Sequence, residues 1–311
     1  MRKQCEGCTR RCSEEECRFS NAESLASAAN VVLGGIIEQK AYQHYCPLDK
    51  ILGKIIQRRW FLSKCSSLKM NDLQEPRKFA GETDILRRTY ITCFEHCRSE
   101  DVAMWGLYEK NDPFALRVTI PGKVLVDWMR SIEIKSNDTA NKDKKDKALK
   151  KMDARDEKGK KLSDGKIQFS IFRDMLYASV AGDKDLDEYD IRRGNRVSWD
   201  EAHYNLRKGE CVVDGQYAGF IKDCEWSHER ESRLCIRLRK TFDIKSISIK
   251  IPVEVIAAMR FTYSPWLRRS EEKRVQRVLE MALQGVGVDL AAKPKFQRFR
   301  RSVLQGALNF K

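Results

Sequence analysis

Arg233-Leu234-Cys235-Ile236-Arg237-Leu238, then Ile247-Ser248-Ile249-Lys250-Ile251-Pro252, then Ala258 to Tyr263, decide the fold class of this chain. The first run is an apolar strand, and in the second isoleucines alternate with polar residues at the period of two that a half-buried strand requires. Pro252 suits the first turn of a helix, and Ala258 to Tyr263 form a last strand. Upstream, Ala41 to Cys46 run as a strand into Pro47, and Leu48, Ile51, Leu52, Ile55 and Ile56 recur at helical spacing. Trp60 to Ser63, Thr89 to Phe94 and Phe114 to Ile120 are further strands, with a helical turn over Ala103 to Tyr108. Strands and short helices alternate without a regular βαβ period, which predicts an α+β domain over a doubly wound sheet.

The 311 residues are 41% hydrophobic and 34% charged, a composition that folds but does not embed in a membrane. Lysine and arginine total 60 against 45 acids, for a net charge of +15. Such an excess predicts polyanionic partners, nucleic acid first, held with salt-sensitive affinity. The longest apolar run near the N-terminus, Val31 to Ile37, is interrupted by Gly34 and Gly35, so an export or membrane segment is not expected. The eleven cysteines then read as reduced thiols or metal ligands in the cytoplasm.

Three additions surround the expected core of residues 21–267. In the tail 1–20, Cys5, Cys8, Cys12 and Cys17 are four thiols that could close a zinc or iron-sulfur site, although the unconventional spacing better suits a disordered or partner-ordered tail. A connecting helix is expected over Asn21 to Gln39. Lys135 to Lys166 carries twelve basic residues, seven acidic ones and no aromatic, so it is expected as a mobile insertion or solvated helical hairpin outside the core. In 268–311, Ser270 is expected to cap a helix with Val275, Val278, Leu279, Ala282 and Leu283 on one face and Gly285 at its end. Beyond it, basic residues interleaved with Phe296, Phe299 and Phe310 suit either a single-stranded nucleic acid or docking of an amphipathic helix on the core.

The densest polar stretch is Lys222-Asp223-Cys224-Glu225-Trp226-Ser227-His228-Glu229-Arg230-Glu231-Ser232-Arg233. On an extended chain Glu229, Glu231 and Arg233 share a side, roughly 6 to 7 Å apart. Two carboxylates and a guanidinium so placed can hold a sugar hydroxyl, stabilise developing positive charge and orient a nucleophile. A surface salt-bridge ladder has the same spacing.

Taken in order, Tyr42-Gln43-His44-Tyr45, Phe61-Leu62-Ser63, Asn71-Asp72 with Glu75, Ile91-Thr92-Cys93-Phe94, Met104-Trp105-x2-Tyr108 and Lys222-x3-Trp226-x2-Glu229-x-Glu231-x-Arg233 resemble the bacterial domain-of-unknown-function family 2971. The likeness spans about residues 41 to 267 and in turn resembles the ADP-ribosyltransferase superfamily. That resemblance implies a split, mixed or antiparallel β-sheet core with flanking helices, NAD as co-substrate, and toxin or anti-phage defence activity on nucleic acid, RNA more than DNA, with an antitoxin protein as partner. It implies Glu231 as catalytic glutamate assisted by Glu229. His44 and Tyr45 would hold the adenosine side of NAD, and Phe61 and Ser63 would line the nicotinamide pocket. Asn71, Asp72, Trp105, Tyr108, Lys222, Trp226 and Arg233 would contact substrate. Phe61 stands where many members of the superfamily have tyrosine, and no Ser-Thr-Ser run occurs. His44 also fits a satisfied core histidine, and Trp105 and Tyr108 fit packing residues. Two other functions remain open at this level: a non-catalytic nucleic-acid binder, and a metal-dependent nuclease using Asp72, Glu75, Glu229, Glu231 and Lys222.

Overall fold

Alternation along the strands separates an apolar face from a polar one. The computed structural model describes residues 18–19, 39, 41–65, 86–96, 100–110, 112–134, 142–178, 189–190, 220–291 and 298–305. Its first half contains β1 (Ala41–Cys46), α1 (Leu48–Ile56), β2 (Arg59–Lys64), β3 (Thr89–Glu95), α2 (Val102–Glu109), β4 (Leu116–Pro121) and α3 (Gly122–Ser131). There follow α4 (Lys142–Met152), β5 (Arg155–Asp156), β6 (Ile167–Asp174), β7 (Glu231–Leu238), β8 (Ser246–Lys250), α5 (Val253–Ala258), β9 (Arg260–Tyr263), α6 (Arg269–Gly285) and β10 (Phe299–Arg300). The ten strands form one sheet in the order β10-β9-β4-β1-β3-β2-β8-β5, with β7 paired to β3 and β6 beyond β7. The β9–β10 pair is parallel and the other pairs of this sheet are antiparallel, so the sheet is mixed and the fold α+β. Two small pairings lie apart from it, Arg18–Phe19 with Tyr189–Asp190 and Leu176–Ala178 with Ile221–Asp223.

The sheet forks at β3. One edge of β3 pairs with β7 from Glu95↔Glu231 to Thr89↔Arg237. The other edge is shared: β1 reaches it at Gln43↔Glu95, while β2 reaches it at Ser63↔Ile91 and Lys64↔Tyr90. Between these contacts β1 and β2 diverge, and side chains occupy the fork. His44 Nδ1 lies 2.9 Å from the Cys93 carbonyl oxygen, and the Trp60 indole N–H donates to Thr92 Oγ1 at 3.0 Å. The ring and the indole thus meet polar groups of β3 that a neighbouring strand would otherwise engage or cover.

On the apolar face Leu116, Val118 and Ile120 of β4, Tyr90 and Phe94 of β3, and Leu234, Ile236 and Leu238 of β7 meet the helices. Trp60 is fully buried there, stacked on Phe94 with centroids 5.3 Å apart and edge-on to Trp128 at 6.2 Å. Residues of opposite parity point the other way: Gln43 and Tyr45, Phe61 and Ser63, Cys93 and Glu95, Arg117, Glu231 and Arg233.

Several expectations change. The lysine-rich stretch is not excluded from the core: Ala148, Leu149 and Met152 of α4, with Ala154 and Leu162, are buried in it, and β5 pairs with β8 at the sheet edge. Arg59 and Asp153 pin this segment through a 2.6 Å ion pair. A few apolar residues suffice for docking, although the composition around them is strongly polar. Helix α3, unanticipated, follows directly on β4 and buries Leu125, Val126, Trp128 and Met129. Ile56 is 62% exposed while Lys54 takes an inward position on α1. In α6, which packs beside α1, the N-cap is Arg268 rather than Ser270, and Val278 is 37% exposed, off the buried stripe of Val275, Leu279, Ala282 and Leu283. The expected helix over Asn21 to Gln39 lies outside the described residues apart from residue 39.

Candidate functional site

The chain before β7 is not extended as expected. Cys224–Glu229 is a short 3₁₀ turn, and Arg230 adopts φ 43°, a left-handed conformation that disfavours a side chain by about 1–3 kcal/mol. The kink ends the turn on Glu229 and starts the strand on Glu231. Both carboxylates are buried, at 1% and 4% exposure.

Helix α2 supplies their common neighbour. Asp101 caps it by accepting from the Ala103 N–H at 2.8 Å, and two turns on, Tyr108 donates its hydroxyl to Glu229 Oε1 at 2.8 Å. Burial, then Glu231, Glu229 and Cys93, raise the Tyr108 phenol far above its ordinary value, so it stays protonated and acts as a donor. Arg233 holds Glu231 through two bonds, Nε to Oε1 at 2.7 Å and Nη2 to Oε2 at 3.0 Å, with both side chains buried. Such a fork fixes the carboxylate plane. Tyr108 itself is 39% exposed, so these carboxylates lie behind a residue that reaches solvent.

The remaining expected residues distribute differently. His44 is on the apolar side, opposite in parity to Tyr45, and both its nitrogens are engaged: Nδ1 with the Cys93 carbonyl and Nε2 with Lys54 Nζ at 2.6 Å. Burial, then Lys54, hold His44 well below the usual imidazole range, against the Cys93 carbonyl. A neutral ring with Nδ1–H donating to Cys93 and Nε2 accepting from Lys54 satisfies this geometry. His44 therefore braces the fork and does not join Glu231. Lys54, buried, also donates to Cys46 Sγ at 3.5 Å and lies 4.4 Å over the Trp60 ring. Tyr45 packs edge-on against Trp105 at 4.9 Å, and the Trp105 indole donates to Glu100 at 2.9 Å; Trp105 is fully buried, a packing residue without access to substrate.

Phe61 and Ser63 are exposed on the polar face, on β2, which β3 separates from β7. Trp226 stacks on His228 with centroids 6.0 Å apart. Lys222 lies on the strand Ile221–Asp223, and its side chain is outside the described residues. So are Asn71, Asp72, Glu75 and the four tail cysteines Cys5, Cys8, Cys12 and Cys17. Among the described residues no group of three histidines, cysteines or carboxylates is placed to hold a metal. Cys46 and Cys235 are free thiols. No helix among the described residues is long and apolar enough to cross a membrane.

Sequence reasoning missed Glu95, Arg117 and Lys54. Glu95 shares parity with Cys93, which alternation along β3 could have indicated; its pairing with Glu231 required the register. A second missed carboxyl, Glu109 at the end of α2, is pushed up to about 7 by burial and by Asp112, against the pull of Lys54. Between its ordinary pKa and about 7 the folded protein retains a proton that the unfolded chain has lost, so its contribution is complete at low pH and lost as pH rises through about 7. Glu109→Gln, which stays neutral, is expected to gain thermal stability relative to the parent on going from about pH 5 to about pH 9. A constant difference in unfolding midpoint across that range would contradict the burial of this carboxyl.

No protein-family model matches the chain, and neither a curated protein nor a solved structure does.

Proposed function

We propose that the protein is an ADP-ribosyltransferase that cleaves NAD and transfers ADP-ribose to a nucleic acid, RNA before DNA. The observation that carries this is that Glu229 and Glu231, both buried, neighbour Tyr108, with Glu231 clamped by Arg233. A buried pair of carboxylates with one oriented by a guanidinium suits a reaction that develops positive charge at a sugar carbon. When the bond between nicotinamide and ribose breaks, its electron pair leaves with nicotinamide. Glu231 stabilises the charge on the ribose side, and Arg233 holds its carboxylate in plane. Glu229, positioned by the Tyr108 hydroxyl, accepts the proton of the incoming nucleophile as the new bond forms.

Charge supports a polyanionic acceptor. Lys142, Lys144, Lys147, Lys150 and Lys151 of α4 are exposed, on a helix whose opposite side docks on the core. The buried fork brace accounts for His44 without substrate, so NAD binding is assigned to the polar face, where Phe61 and Ser63 are exposed. A toxin of this type in the cytoplasm requires restraint, which an antitoxin protein would supply. The test is nicotinamide release from NAD with and without RNA. Release stimulated by RNA, with the stimulation falling at least about tenfold between about 50 and 200 mM salt, is expected. RNA binding with no NAD consumption would select a non-catalytic nucleic-acid binder instead.

A further inference from the structure

Helix α4 and the strand that follows it carry exposed charge that is almost all of one sign. Among the exposed lysines of α4, Lys144, Lys147 and Lys151 recur at offsets of three and four, so they line one stripe about 10 Å long with no acid among them. Ala148, Leu149 and Met152 hold the other side of the helix in the core, so the stripe stands on a fixed element. Shortly after α4, β5 pairs with β8, and a tight turn follows in which Asp156 Oδ1 accepts from the Lys158 and Lys160 N–H groups at 3.0 and 2.8 Å. Arg155, Lys158, Lys160 and Lys161 are exposed there, while the acid at the turn, Glu157, accepts from the Lys245 N–H at 3.2 Å.

A solvated helix face neutralised by its own ion pairs is the plain alternative, and α3 has such a pair: Lys123 meets Asp127, four residues on, at 3.0 Å. Asp143 and Lys147, and Asp146 and Lys150, have the same spacing on α4, yet none of the α4 lysines forms an ion pair among the described residues. Like charges held unneutralised on one rigid edge repel, and a polyanion relieves that repulsion. Lys135 to Lys166 contains no aromatic residue, so this surface has nothing on which to stack a base and holds phosphates alone. Such binding gains most from the polyanion of densest charge, because a duplex releases about 0.9 counterion per phosphate contact against about 0.7 for a single strand. We infer that α4 and the turn after β5 form a docking surface for the phosphate backbone of duplex RNA. Duplex RNA is preferred to duplex DNA by the proposed reaction, on which that choice rests. The surface adjoins the face to which NAD is assigned: Arg155 is opposite Ser248 and Ser248 opposite Phe61, which puts Arg155 and Phe61 in one row about 10 Å apart.

The experiment is a fluorescence-anisotropy titration of the full chain with a short labelled RNA duplex, one of its single strands and the DNA duplex of the same sequence, between about 50 and 200 mM salt. The parent is expected to bind the RNA duplex most tightly. Lys144→Gln, Lys147→Gln and Lys151→Gln combined are expected to weaken that binding at least about tenfold and to lower the slope of log affinity against log salt by about two to three. These side chains are exposed, so the unfolding transition stays where it is in the parent. Lys273→Gln, Arg274→Gln and Arg277→Gln remove the same charge from α6, where Arg274 already pairs with Glu271 at 3.6 Å, and are expected to change the affinity by less than about twofold. Equal losses from the two triple variants, or binding by the α4 variant at the parent's affinity, would overturn the surface. Tighter binding of the single strand or of the DNA duplex would overturn its assignment to duplex RNA. Nicotinamide release from NAD is scored separately. Duplex binding that depends on α4 without NAD cleavage leaves the surface standing and removes the transferase assignment, whereas NAD cleavage stimulated by RNA equally in the parent and the α4 variant does the reverse.

Discussion

Glu231→Gln is expected to lower nicotinamide release from NAD by about 10²- to 10⁴-fold, the range for removing a group that stabilises charge only as the reaction proceeds. The amide keeps the shape of the carboxylate and an acceptor for Arg233, so the side chain still occupies its buried position on β7. What it loses is the negative charge that the reacting sugar carbon needs. Some stability is lost as well, about 1–3 kcal/mol, because a buried guanidinium loses its counter-charge. Activity is therefore measured per folded molecule, with the folded fraction taken from circular dichroism. Undiminished release by folded Glu231→Gln would remove this residue from the chemistry.

Arg233→Ala is expected to have the largest effect on stability, about 3–5 kcal/mol by urea unfolding. Arg233 is 3% exposed and Glu231 4% exposed, so deleting the cation leaves a carboxylate in the sheet interior with water unable to replace its partner. The cost arises from the stranded charge and not from the net value of the pair, which in a buried site is small. It follows that Glu231→Gln combined with Arg233→Met recovers much of the lost stability and no activity. A loss below about 1 kcal/mol in Arg233→Ala would mean that the pair is solvated, as in a surface ladder.

Much of the scaffold was legible in the strands themselves. Alternation in Leu116 to Pro121 and in Ile247, Ile249 and Ile251 marks strands because the apolar residues recur on one buried side, opposite polar ones. Alternation also held information on His44 that residue order alone did not: it shares parity with Tyr42 and Cys46, both buried in the main core, and so cannot line the face that Tyr45 lines. The fork at β3 was not legible, since it depends on two strands meeting one edge at opposite ends, a matter of register between residues 26 to 52 apart in sequence. Glu229 and Glu231 both lie beside Tyr108, but not along the one extended strand that the spacing suggested. The left-handed turn at Arg230 and the phenol of Tyr108, 121 positions away from Glu229, position the carboxylates where an extended strand was expected.

Composition misled at the lysine-rich stretch for a related reason. Average polarity describes the exposed side of α4, while Ala148, Leu149 and Met152 alone determine where it docks. The same helix thus joins the core and presents cations to solvent, which places charge on a rigid element instead of a mobile arm. Glu95 shows the complementary case: a carboxyl inside an apolar strand carries little signal until its neighbours across the sheet are known.

The central claim is tested most directly by incubating the full chain with NAD labelled in its adenylate half together with RNA, DNA or protein. Label is expected on RNA with the parent, with nicotinamide released, and on none of the three with Glu231→Gln. Absence of both label transfer and nicotinamide release with the folded parent would contradict the assignment.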